Sequence, residues 1–364
     1  MRIALIHLGR KGGGPPYILD LAKALHARGE EVCVFLSSQV ENRNIFEQQD
    51  FKTCFFDTYN NTIEFVWSIF SFYKIERVVK SIRNYAPDAI CSTLFHTWDP
   101  FLFPRLKGMT RIKTLHDVET HVGAGFFIRW CDKKKFSDAE GFVVLSNKYV
   151  NILEENRIRR ENITVIPHAG YTYYSELSTN DDKKNDSNIR LLFFGRIEKY
   201  KGLGLLLKAL EIILGKHPEV KLRIAGSGNI EEYSDMITKL QDNIELYNTW
   251  IKDEEVGNYL ANCDLMVLPY IHATQSGVIP LAYAFSIPVI ATNVGCLNEQ
   301  IEDGYTGFLT NEVTPQGLAN TILYAIENTD LVKIGQNANK YMKENLTWES
   351  SAEKLIAFIH KLKV

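Results

Sequence analysis

Three features that would place a protein in a special class are missing from this sequence of 364 residues. No stretch reaches the roughly eighteen consecutive apolar residues of a membrane-spanning helix, and the apolar run at the amino terminus is too short for a signal peptide, so we expect a cytoplasmic protein. The six cysteines lie far apart and include no CxxC pair, which predicts free thiols and no zinc site. The 41 basic and 44 acidic residues nearly cancel, and this balance disfavours a nucleic-acid partner.

Short apolar runs and helix-period segments alternate along the chain. The series starts with Ile3–Leu8, a glycine-rich turn, a helix that ends at Gly29, and a second run at Val32–Leu36, an order that opens a parallel sheet. Further strands are predicted at Ala89–Cys91, Ile112–Leu115, Phe142–Leu145, Ile163–Ile166, Ile189–Phe194, Val220–Ala225, Ile244–Leu246, Leu265–Leu268 and Val289–Ala291. The predicted fold class is therefore α/β, with two Rossmann-like, doubly wound parallel-sheet domains that face each other across a cleft.

A change of composition predicts the domain boundary. The stretch Asn180–Asn188 contains no apolar residue and is typical of a solvated connection. We expect an N-terminal domain over residues 1–170, a linker over 171–188 and a C-terminal domain over 189–345. Residues 346–364 place apolar side chains on one helical face, which predicts a terminal helix that packs back toward the N-terminal domain.

The strongest candidate site is the sequence FFGRIEKYKG, in which Arg196 and Lys201 follow directly after a buried strand. The carboxyl ends of parallel strands border the ligand crevice of such sheets. A guanidinium and an ammonium at that position can neutralise the charge of a pyrophosphate leaving group. The alternative is a surface turn with solvated charges.

Glycine-rich and small-residue turns supply the next candidates. In ATQSGVIP, the N–H groups of Ser276 and Gly277 suit phosphate oxygens, whereas the alternative is an ordinary helix start capped by Ser276. The turns Gly12–Gly14 and Gly226–Gly228 allow a ligand to approach the backbone closely. Neither turn has the GxGxxG fingerprint, so a nicotinamide-dependent dehydrogenase is disfavoured.

Polar side chains also follow the first-half strands. His116 and Asp117 come directly after Ile112–Leu115, where an imidazole can hydrogen-bond a sugar hydroxyl or move a proton near neutral pH. With His121 the pair superficially resembles a metal site, but the spacing fixes no coordination geometry and we expect no metal. His96 is a weaker candidate, and a structural role is its alternative.

Together these motifs resemble the retaining glycosyltransferases of family 4, which have the GT-B fold. The resemblance spans the chain and is most specific in the second half, where FFGRIEKYKG, LRIAGSGN, LMVLPY, SIPVIATNVGCLNEQI and DGYTGFL match in order and spacing. It implies a hexosyltransferase that takes a nucleotide-diphosphate sugar as co-substrate, with no cofactor and no metal. It also implies a glycan or lipid-linked acceptor bound by the N-terminal half, in the assembly of bacterial capsule, lipopolysaccharide or exopolysaccharide.

The resemblance assigns roles to individual residues. Arg196 and Lys201 would hold the diphosphate, and His116 would touch the transferred sugar, which makes these three the implied catalytic residues. Ser276 and Gly277 would offer N–H groups to the distal phosphate. The further donor-binding positions are Gly13, Gly14, Gly228, Ile251, Thr274, Gln275 and Glu299, and the acceptor-binding positions are His96 and Asp117.

One departure from the family concerns two glutamates that it usually carries eight positions apart. Here Ala273 and Leu281 stand at those positions, so no carboxylate is evident as a covalent nucleophile and front-face attack fits better than double displacement. To substitute for the glutamates the sequence offers Thr274, Gln275 and Glu299. Glu299 has the alternative role of capping a helix over residues 298–302. For the whole chain, the alternative is a catalytically impaired nucleotide-sugar-binding protein of the same fold.

An aromatic segment with adjoining cations lies in the first half. Phe65–Tyr73 contains five aromatic residues within a helical pattern that spans Ile63–Arg83, and basic side chains follow it. Such a segment suits an anionic membrane surface or a lipid pyrophosphate, so we expect peripheral contact with the inner membrane. Arg111, Lys113 and Lys133–Lys135 are predicted to extend this patch. The alternative is a core helix with a solvated basic end.

Overall fold

The alternation of strands and helices forms two separate parallel sheets in a computed structural model of the chain, which describes residues 1–61, 64–65, 71–116, 118, 130, 133–171, 173–174 and 188–363. Each sheet and its helices form a compact unit. The first unit comprises Met1–His168 together with the last helix, and the second comprises Ala169–Thr347. The prediction of two α/β halves, each built on a parallel sheet, is confirmed.

The first sheet has seven strands among the described residues, in the order β3-β2-β1-β4-β5-β6-β7. These are β1 (Arg2–His7), β2 (Glu31–Ser37), β3 (Lys52–Phe56), β4 (Ala89–Ser92), β5 (Thr110–Leu115), β6 (Gly141–Val144) and β7 (Ile163–Val165). In the central strand, Ile3 pairs with Val32 on one side and with Ala89 on the other. Its residues from Ile3 onward are buried without alternation, as expected for a parallel strand covered on both faces.

The helices of the first unit begin with α1 (Gly14–Ala27), which has Pro15 and Pro16 in its first turn, where no intrahelical N–H is needed. Its apolar residues at spacings of three and four are buried. The helices that follow are α2 (Arg43–Glu47), α3 (Phe72–Tyr85), α4 (Asp99–Leu102) and α5 (Lys148–Glu155).

The second sheet has six strands among the described residues, in the order β10-β9-β8-β11-β12-β13. These are β8 (Ile189–Phe194), β9 (Val220–Ala225), β10 (Ile244–Tyr247), β11 (Leu265–Leu268), β12 (Val289–Thr292) and β13 (Gly307–Thr310). The helices of this unit are α6 (Leu203–Leu214), α7 (Ser234–Lys239), α8 (Asp253–Leu260), α9 (Val278–Ala284), α10 (Pro315–Asn328) and α11 (Leu331–Asn345). Leu206, Leu210 and other buried side chains of α6 pack in one apolar cluster with β8, β9 and α10.

The last helix, α12 (Trp348–Lys363), belongs to the first unit although the second unit separates it from the rest in sequence. The ring of Trp348 meets the ring of Tyr17 on α1 edge to face, with 4.9 Å between the ring centroids. A Cβ on Gly141 of β6 would lie 2.5 Å from Leu362, so the helix is in close contact with the sheet. An apolar face that must be buried therefore determines where this helix packs.

Most of the expected linker, residues 172 and 175–187, lies outside the described residues. Tyr171, Tyr173 and Tyr174 at its start are buried, and the hydroxyl of Tyr174 donates a hydrogen bond to Asp253 at 3.2 Å. These tyrosines are part of the second unit.

The first unit departs from the expected basic patch. Arg111 is buried in a salt bridge with Glu140 at 2.7 Å, and Lys113, which is 1 % exposed, donates to the carbonyl of Ser137 at 2.6 Å. Lys135 is also buried. The prediction that these three cations extend an exposed patch was wrong, because local carbonyl and carboxylate groups satisfy the first two inside the unit.

The predicted helix over Ile63–Arg83 is described mainly as α3, and residues 62–63 and 66–70 of the aromatic segment lie outside the described residues. Phe72 and Tyr73, at the start of α3, are exposed. None of the described helices combines the length and the apolar character that crossing a membrane requires.

Candidate functional site

Each sheet has a topological switch point, a position between two neighbouring strands from which the chain connections run in opposite directions across the sheet. It lies between β1 and β4 in the first sheet and between β8 and β11 in the second. Open α/β sheets bind ligands beyond the carboxyl ends of the strands at such points. The residues that follow these four strands are therefore the first place to look for a site in each unit.

In the second unit, the turn after β8 packs on the segment after β11. Gly195 has φ +104°, and Lys199–Lys201 forms a 3₁₀ turn that ends at Gly202. A Cβ on Gly202 would lie 1.9 Å from the carbonyl oxygen of Pro269, so only glycine allows this approach. The two sequence motifs on either side of the switch point are thereby brought together.

Lys201 points back across this turn. Its Nζ would lie 2.9 Å from a Cβ on Gly195, and it stands 5.6 Å from the centroid of the Tyr270 ring. Among the described residues, the ammonium forms no ion pair and donates no hydrogen bond to a carboxylate or carbonyl. Burial lowers the pKa of Lys201, and the nearby Arg196 also lowers it. A cation in this state gains stability from a bound anion.

Arg196 differs from Lys201 in exposure. Its side chain is 65 % exposed, and its Nη1 forms a salt bridge with Glu198 at 3.0 Å. An exposed ion pair of this kind contributes little to stability, so a stronger anion can replace the Glu198 carboxylate at little cost. Both predicted cations therefore lie on the same short turn, one partly buried and one exposed.

Ser276 is linked to the same place through Tyr270. The Tyr270 hydroxyl lies 3.3 Å from Ser276 Oγ, and burial raises the pKa of Tyr270 to about 12, which keeps the hydroxyl protonated. The chain Lys201–Tyr270–Ser276 thus connects the two predicted motifs. Tyr270 could not be singled out from the sequence, because it looks like the last residue of an apolar run.

The backbone of Ser276 corrects one prediction. Its N–H donates to Gln300 Oε1 at 2.8 Å, and its carbonyl accepts from Gln300 Nε2 at 3.0 Å, so this N–H is already used. The Ser276 Oγ accepts from the N–H of Val278 at 3.3 Å. The N–H of Gly277 forms no hydrogen bond among the described residues. Of the two N–H groups expected to donate to a phosphate, it is therefore the one still able to do so.

The residues around this turn occupy different environments. Ala273 and Leu281, which stand in place of the family's two glutamates, are buried. Thr274 and Gln275 are partly exposed, and the Thr274 carbonyl accepts from the N–H of Cys296 at 3.2 Å. Glu299 is exposed at the end of a 3₁₀ turn over Leu297–Glu299, so the helix expected over residues 298–302 is absent from this described stretch.

Two further predicted donor positions differ in how their backbone is used. The N–H of Gly228 donates to Asn248 Oδ1 at 3.0 Å and its carbonyl accepts from Asn248 Nδ2 at 3.1 Å, so its polar groups are engaged. A Cβ there would meet the carbonyl oxygen of Ile197 at 2.2 Å. Ile251 is buried just before α8, and among the described residues its N–H and carbonyl form no hydrogen bond.

In the first unit, the glycine-rich loop lies against a histidine that the sequence did not single out. Gly13 precedes α1 and Gly14 begins it, and a Cβ on Gly14 would lie 2.2 Å from Cε1 of His7. His7 is the last residue of β1, and its side chain is buried. Burial, with the nearby imidazoles of His96 and His116, lowers the pKa of His7 to about 3. The ring is therefore neutral near pH 7.

His96 lies beyond β4 in a buried hydrogen-bonded turn. Asp99 Oδ2 accepts from the His96 N–H at 3.0 Å, and His96 Nδ1 accepts from the N–H of Trp98 at 3.2 Å. Burial lowers the pKa of His96 to about 4 and raises the pKa of Asp99 to about 6. One ring nitrogen of His96 therefore supports the turn, which is the structural role given as its alternative.

His116 follows β5 in an aromatic group. Its ring lies 5.2 Å from that of Tyr17 and 5.9 Å from that of His168. Asp117 and His121 lie outside the described residues. Within the part of the chain that the structure describes, no three histidine, cysteine, aspartate or glutamate side chains are grouped so that they could hold a metal ion.

Two family models match the chain, one in each unit. Residues 11–169 match the model described as Glycosyltransferase Family 4, and residues 188–328 match the model described as Glycosyl transferases group 1. The chain is 26 % identical over 248 residues to an uncharacterized glycosyltransferase of Methanocaldococcus jannaschii, an alignment that covers 65 % of this chain and 62 % of the relative. It is 25 % identical over 194 residues to the GDP-mannose:glycolipid 4-beta-D-mannosyltransferase of Xanthomonas campestris, covering 51 % of each chain. The chain thus spans between half and two thirds of the length of these curated relatives.

Among solved structures, the fold is similar to that of HepE from Anabaena in complex with UDP and glucose. The TM-score is 0.77 with 19 % sequence identity, and the match covers 99 % of both chains. At this identity the likeness shows the fold, which is the GT-B fold of two Rossmann-like parallel-sheet domains.

Proposed function

Because the chain carries a Glycosyltransferase Family 4 domain followed by a Glycosyl transferases group 1 domain, we propose that it transfers a sugar from a nucleotide-diphosphate sugar to a hydroxyl of a glycan or lipid-linked acceptor. The proposed reaction retains the configuration of the transferred sugar and needs no metal or other cofactor. Its setting is the assembly of a bacterial surface polysaccharide, at the cytoplasmic face of the inner membrane. The mannosyltransferase relative, whose name specifies a glycolipid acceptor, supports this choice of acceptor class.

The observation that carries the proposal is the state of Lys201. A partly buried ammonium that is desolvated normally has a carboxylate partner, because desolvating a lone charge is costly. Lys201 instead packs beside Gly195 and over Tyr270, without an ion pair among the described residues. A diphosphate at the switch point of the second sheet would supply the missing negative charge.

Arg196 supplies the second cation. When the bond between the sugar and the diphosphate breaks, negative charge grows on the leaving phosphate, and fixed cations stabilise that charge. Lys201 is pre-positioned for this task by burial, whereas Arg196 would exchange its exposed contact with Glu198 for the phosphate. These two residues do the work that a divalent metal does in many other transferases.

The residues beside Ser276 support retention without a covalent intermediate. Ala273 and Leu281 are buried and apolar, so neither can act as a nucleophile. We therefore propose front-face attack, in which the acceptor hydroxyl forms the new bond on the side from which the diphosphate leaves. The departing phosphate accepts the proton of the acceptor hydroxyl, and Thr274, Gln275 or Glu299 would contact the donor in place of the two glutamates.

The start of α3 is the proposed membrane contact. Phe72 and Tyr73 are 51 % and 68 % exposed, and Arg77 lies one turn further along the helix, with its guanidinium 5.8 Å from the Tyr73 ring. Exposed aromatic rings next to cations favour an anionic lipid surface. Sedimentation with vesicles that contain anionic lipid tests this contact: binding at low salt that weakens as salt rises supports it, and no binding at low salt contradicts it.

A nucleotide panel followed by thermal unfolding tests the function itself. A nucleotide-sugar transferase should be stabilised by UDP or GDP, by about 2.7 kcal/mol at one hundred times Kd, and not by NAD. Preference for NAD would contradict the proposal.

The alternative function, a catalytically impaired binder of nucleotide sugars, is favoured by the missing glutamates at Ala273 and Leu281. Incubation with UDP-glucose and GDP-mannose separates the two functions. Release of free UDP or GDP, with or without an added acceptor, excludes the impaired binder, provided that the Lys201→Ala variant releases far less. Turnover that persists in the presence of EDTA supports the metal-independent reaction.

A further inference from the structure

Buried polar atoms without partners gather at the switch point of the first sheet. His7 is 1 % exposed, and neither of its ring nitrogens has a hydrogen-bond partner among the described residues. The same holds for His96 Nε2, Thr97 Oγ1 and Asp99 Oδ1, all from the segment after β4. Folded proteins leave few buried polar groups unpaired, since each one costs stability. Five such atoms beyond two neighbouring strands therefore require an explanation.

The hydrogen bonds that are present define what this group can donate and accept. Because His96 Nδ1 accepts the N–H of Trp98, its proton resides on Nε2, which becomes a donor with no acceptor. His7 is neutral, so it offers one ring N–H and one bare ring nitrogen. Neutral donors and acceptors in close proximity match hydroxyl groups, which also donate and accept. They match a phosphate poorly, since they bring no positive charge.

Aromatic rings surround His96. The ring of Tyr59 lies parallel to it, with centroids 6.1 Å apart and an interplanar angle of 15°, and the rings of Phe65 and Trp98 meet it edge to face. The Arg10 guanidinium lies over Tyr59 and donates to the carbonyl of Asn60, so that cation is already engaged. A sugar ring has apolar C–H faces and hydroxyl edges, and aromatic walls combined with a few placed polar groups fit both.

The position in the fold agrees with this chemistry. His7 ends β1 and His96 follows β4, and these are the two strands that border the switch point. Gly14 closes over the His7 ring, and any side chain there would collide with it. The glycine-rich loop Gly12–Gly14, which we predicted from the sequence to approach a ligand, therefore packs directly against the His7 imidazole.

We propose that His7 and His96 bind hydroxyl groups of a sugar at the switch point of the first sheet, which makes His7 a substrate-binding residue of this chain. The inference rests on the proposed function and identifies uncharged sugar hydroxyls as what the first unit recognises. Two sources supply such hydroxyls, the transferred sugar and the acceptor, and the experiment below distinguishes them.

The main variant is His7→Leu, which removes both ring nitrogens and retains an apolar side chain, with His7→Gln as the variant that restores a donor and an acceptor. His360→Leu is the control, since His360 is an exposed histidine on α12 of the same unit. Urea unfolding comes first. His7→Leu should be at least as stable as the wild type, because no hydrogen bond is lost. If His7→Leu does not fold, His7→Gln is compared with the wild type instead.

The donor arm compares the affinities of UDP and GDP with those of UDP-glucose and GDP-mannose. If His7 contacts the transferred sugar, His7→Leu should bind the nucleotide sugar at least tenfold more weakly than the wild type does. Its affinity for the free nucleotide should be unchanged. The acceptor arm follows saturation transfer to methyl hexosides by NMR with nucleotide present. If His7 contacts the acceptor, the wild-type signal disappears in His7→Leu and returns in His7→Gln.

The proposal is overturned if His7→Leu binds sugars as well as the wild type and His360→Leu do in both arms. It is also overturned if the wild type binds no sugar in either arm. The proposed function fails separately. If the protein binds nucleotides but transfers no sugar, the proposed transferase activity is wrong. The NMR signal of the methyl hexosides still shows whether His7 binds a sugar.

Discussion

The first six strands of the first sheet have the same order as the six strands of the second, but the residues at the two switch points differ in electrostatic character. After β8 and β11 the second unit presents two cations, Arg196 and Lys201, close to the phenol of Tyr270. After β1 and β4 the first unit presents neutral imidazoles, His7 and His96, packed among aromatic rings. Under the proposed function, the same backbone topology serves charge recognition in one unit and hydroxyl recognition in the other. Fold alone would not have distinguished them.

The largest expected effect tests the charged switch point. Lys201→Ala should lower kcat by roughly 10²–10³-fold, about 3–4 kcal/mol of barrier, because one fixed donor to the leaving phosphate is lost. Lys199→Ala is the matched control, since Lys199 lies in the same turn with its side chain 85 % exposed and paired to Glu232. Steady-state nucleotide release from the donor measures both.

Equal rates of nucleotide release for Lys201→Ala and the wild type would contradict the contrast between the two units. If Lys199→Ala lost as much activity as Lys201→Ala, the effect would be one of general surface charge. Arg196→Ala belongs in the same series. Near-wild-type turnover in both Arg196→Ala and Lys201→Ala would defeat the diphosphate assignment.

A somewhat smaller effect tests the desolvation of the first switch point through Asp99. Burial raises the pKa of Asp99 to about 6 from 3.8, against the opposing effect of Lys113. The folded state then holds this proton more tightly than the unfolded state, so Asp99 makes the protein less stable as the pH rises from about 4 to about 6. At about 1.36 kcal/mol per pKa unit the loss is up to about 3 kcal/mol.

Asp99→Asn keeps an oxygen that accepts the His96 N–H but cannot ionise, so its free energy of unfolding should lack this decline. Urea unfolding of both proteins at pH 4.5 and pH 7 measures the difference. Identical pH slopes would mean that the pKa of Asp99 is not raised in the folded state, and would contradict its desolvation at the first switch point.

The smallest expected effect sharpens the contact between the glycine loop and His7. Gly14→Ala places a Cβ 2.2 Å from the imidazole and should destabilise the protein by about 1–3 kcal/mol through overpacking. In a His7→Ala background the same change should cost much less, because the obstructing ring is absent. A double-mutant cycle by urea unfolding measures this coupling, and a cost that is equal in both backgrounds would contradict the packing of the loop on His7.

Features with a strong local pattern could be predicted from the sequence. The central strands are continuous apolar runs, and the predicted strands near β1 and β8 agree with the structure within one or two residues. The edge strand β3 was not predicted, because Lys52–Phe56 is only half buried and has a weak pattern. The short strand β13, Gly307–Thr310, was missed for a different reason: it is mostly buried, but with four residues it looks like a turn.

The placement of Arg196 and Lys201 just beyond β8 was predictable, because the motif follows directly after an apolar run. The site was not predictable where a role arises from distant contacts. Gln300 engages the Ser276 backbone from 24 positions away. His7 lies inside an apolar run and looks like an ordinary strand residue until the loop beyond it closes on its ring.

The return of α12 to the first unit affects how the protein is made. Tyr17 of α1 and Gly141 of β6 contact Trp348 and Leu362, which a ribosome synthesises only after the whole second unit. The first unit therefore stays incomplete, with an apolar face of α1 uncovered, while the second unit can already fold. A fragment that stops at His168 would remain in that unfinished state permanently, so the two halves cannot be separated by one cut between them.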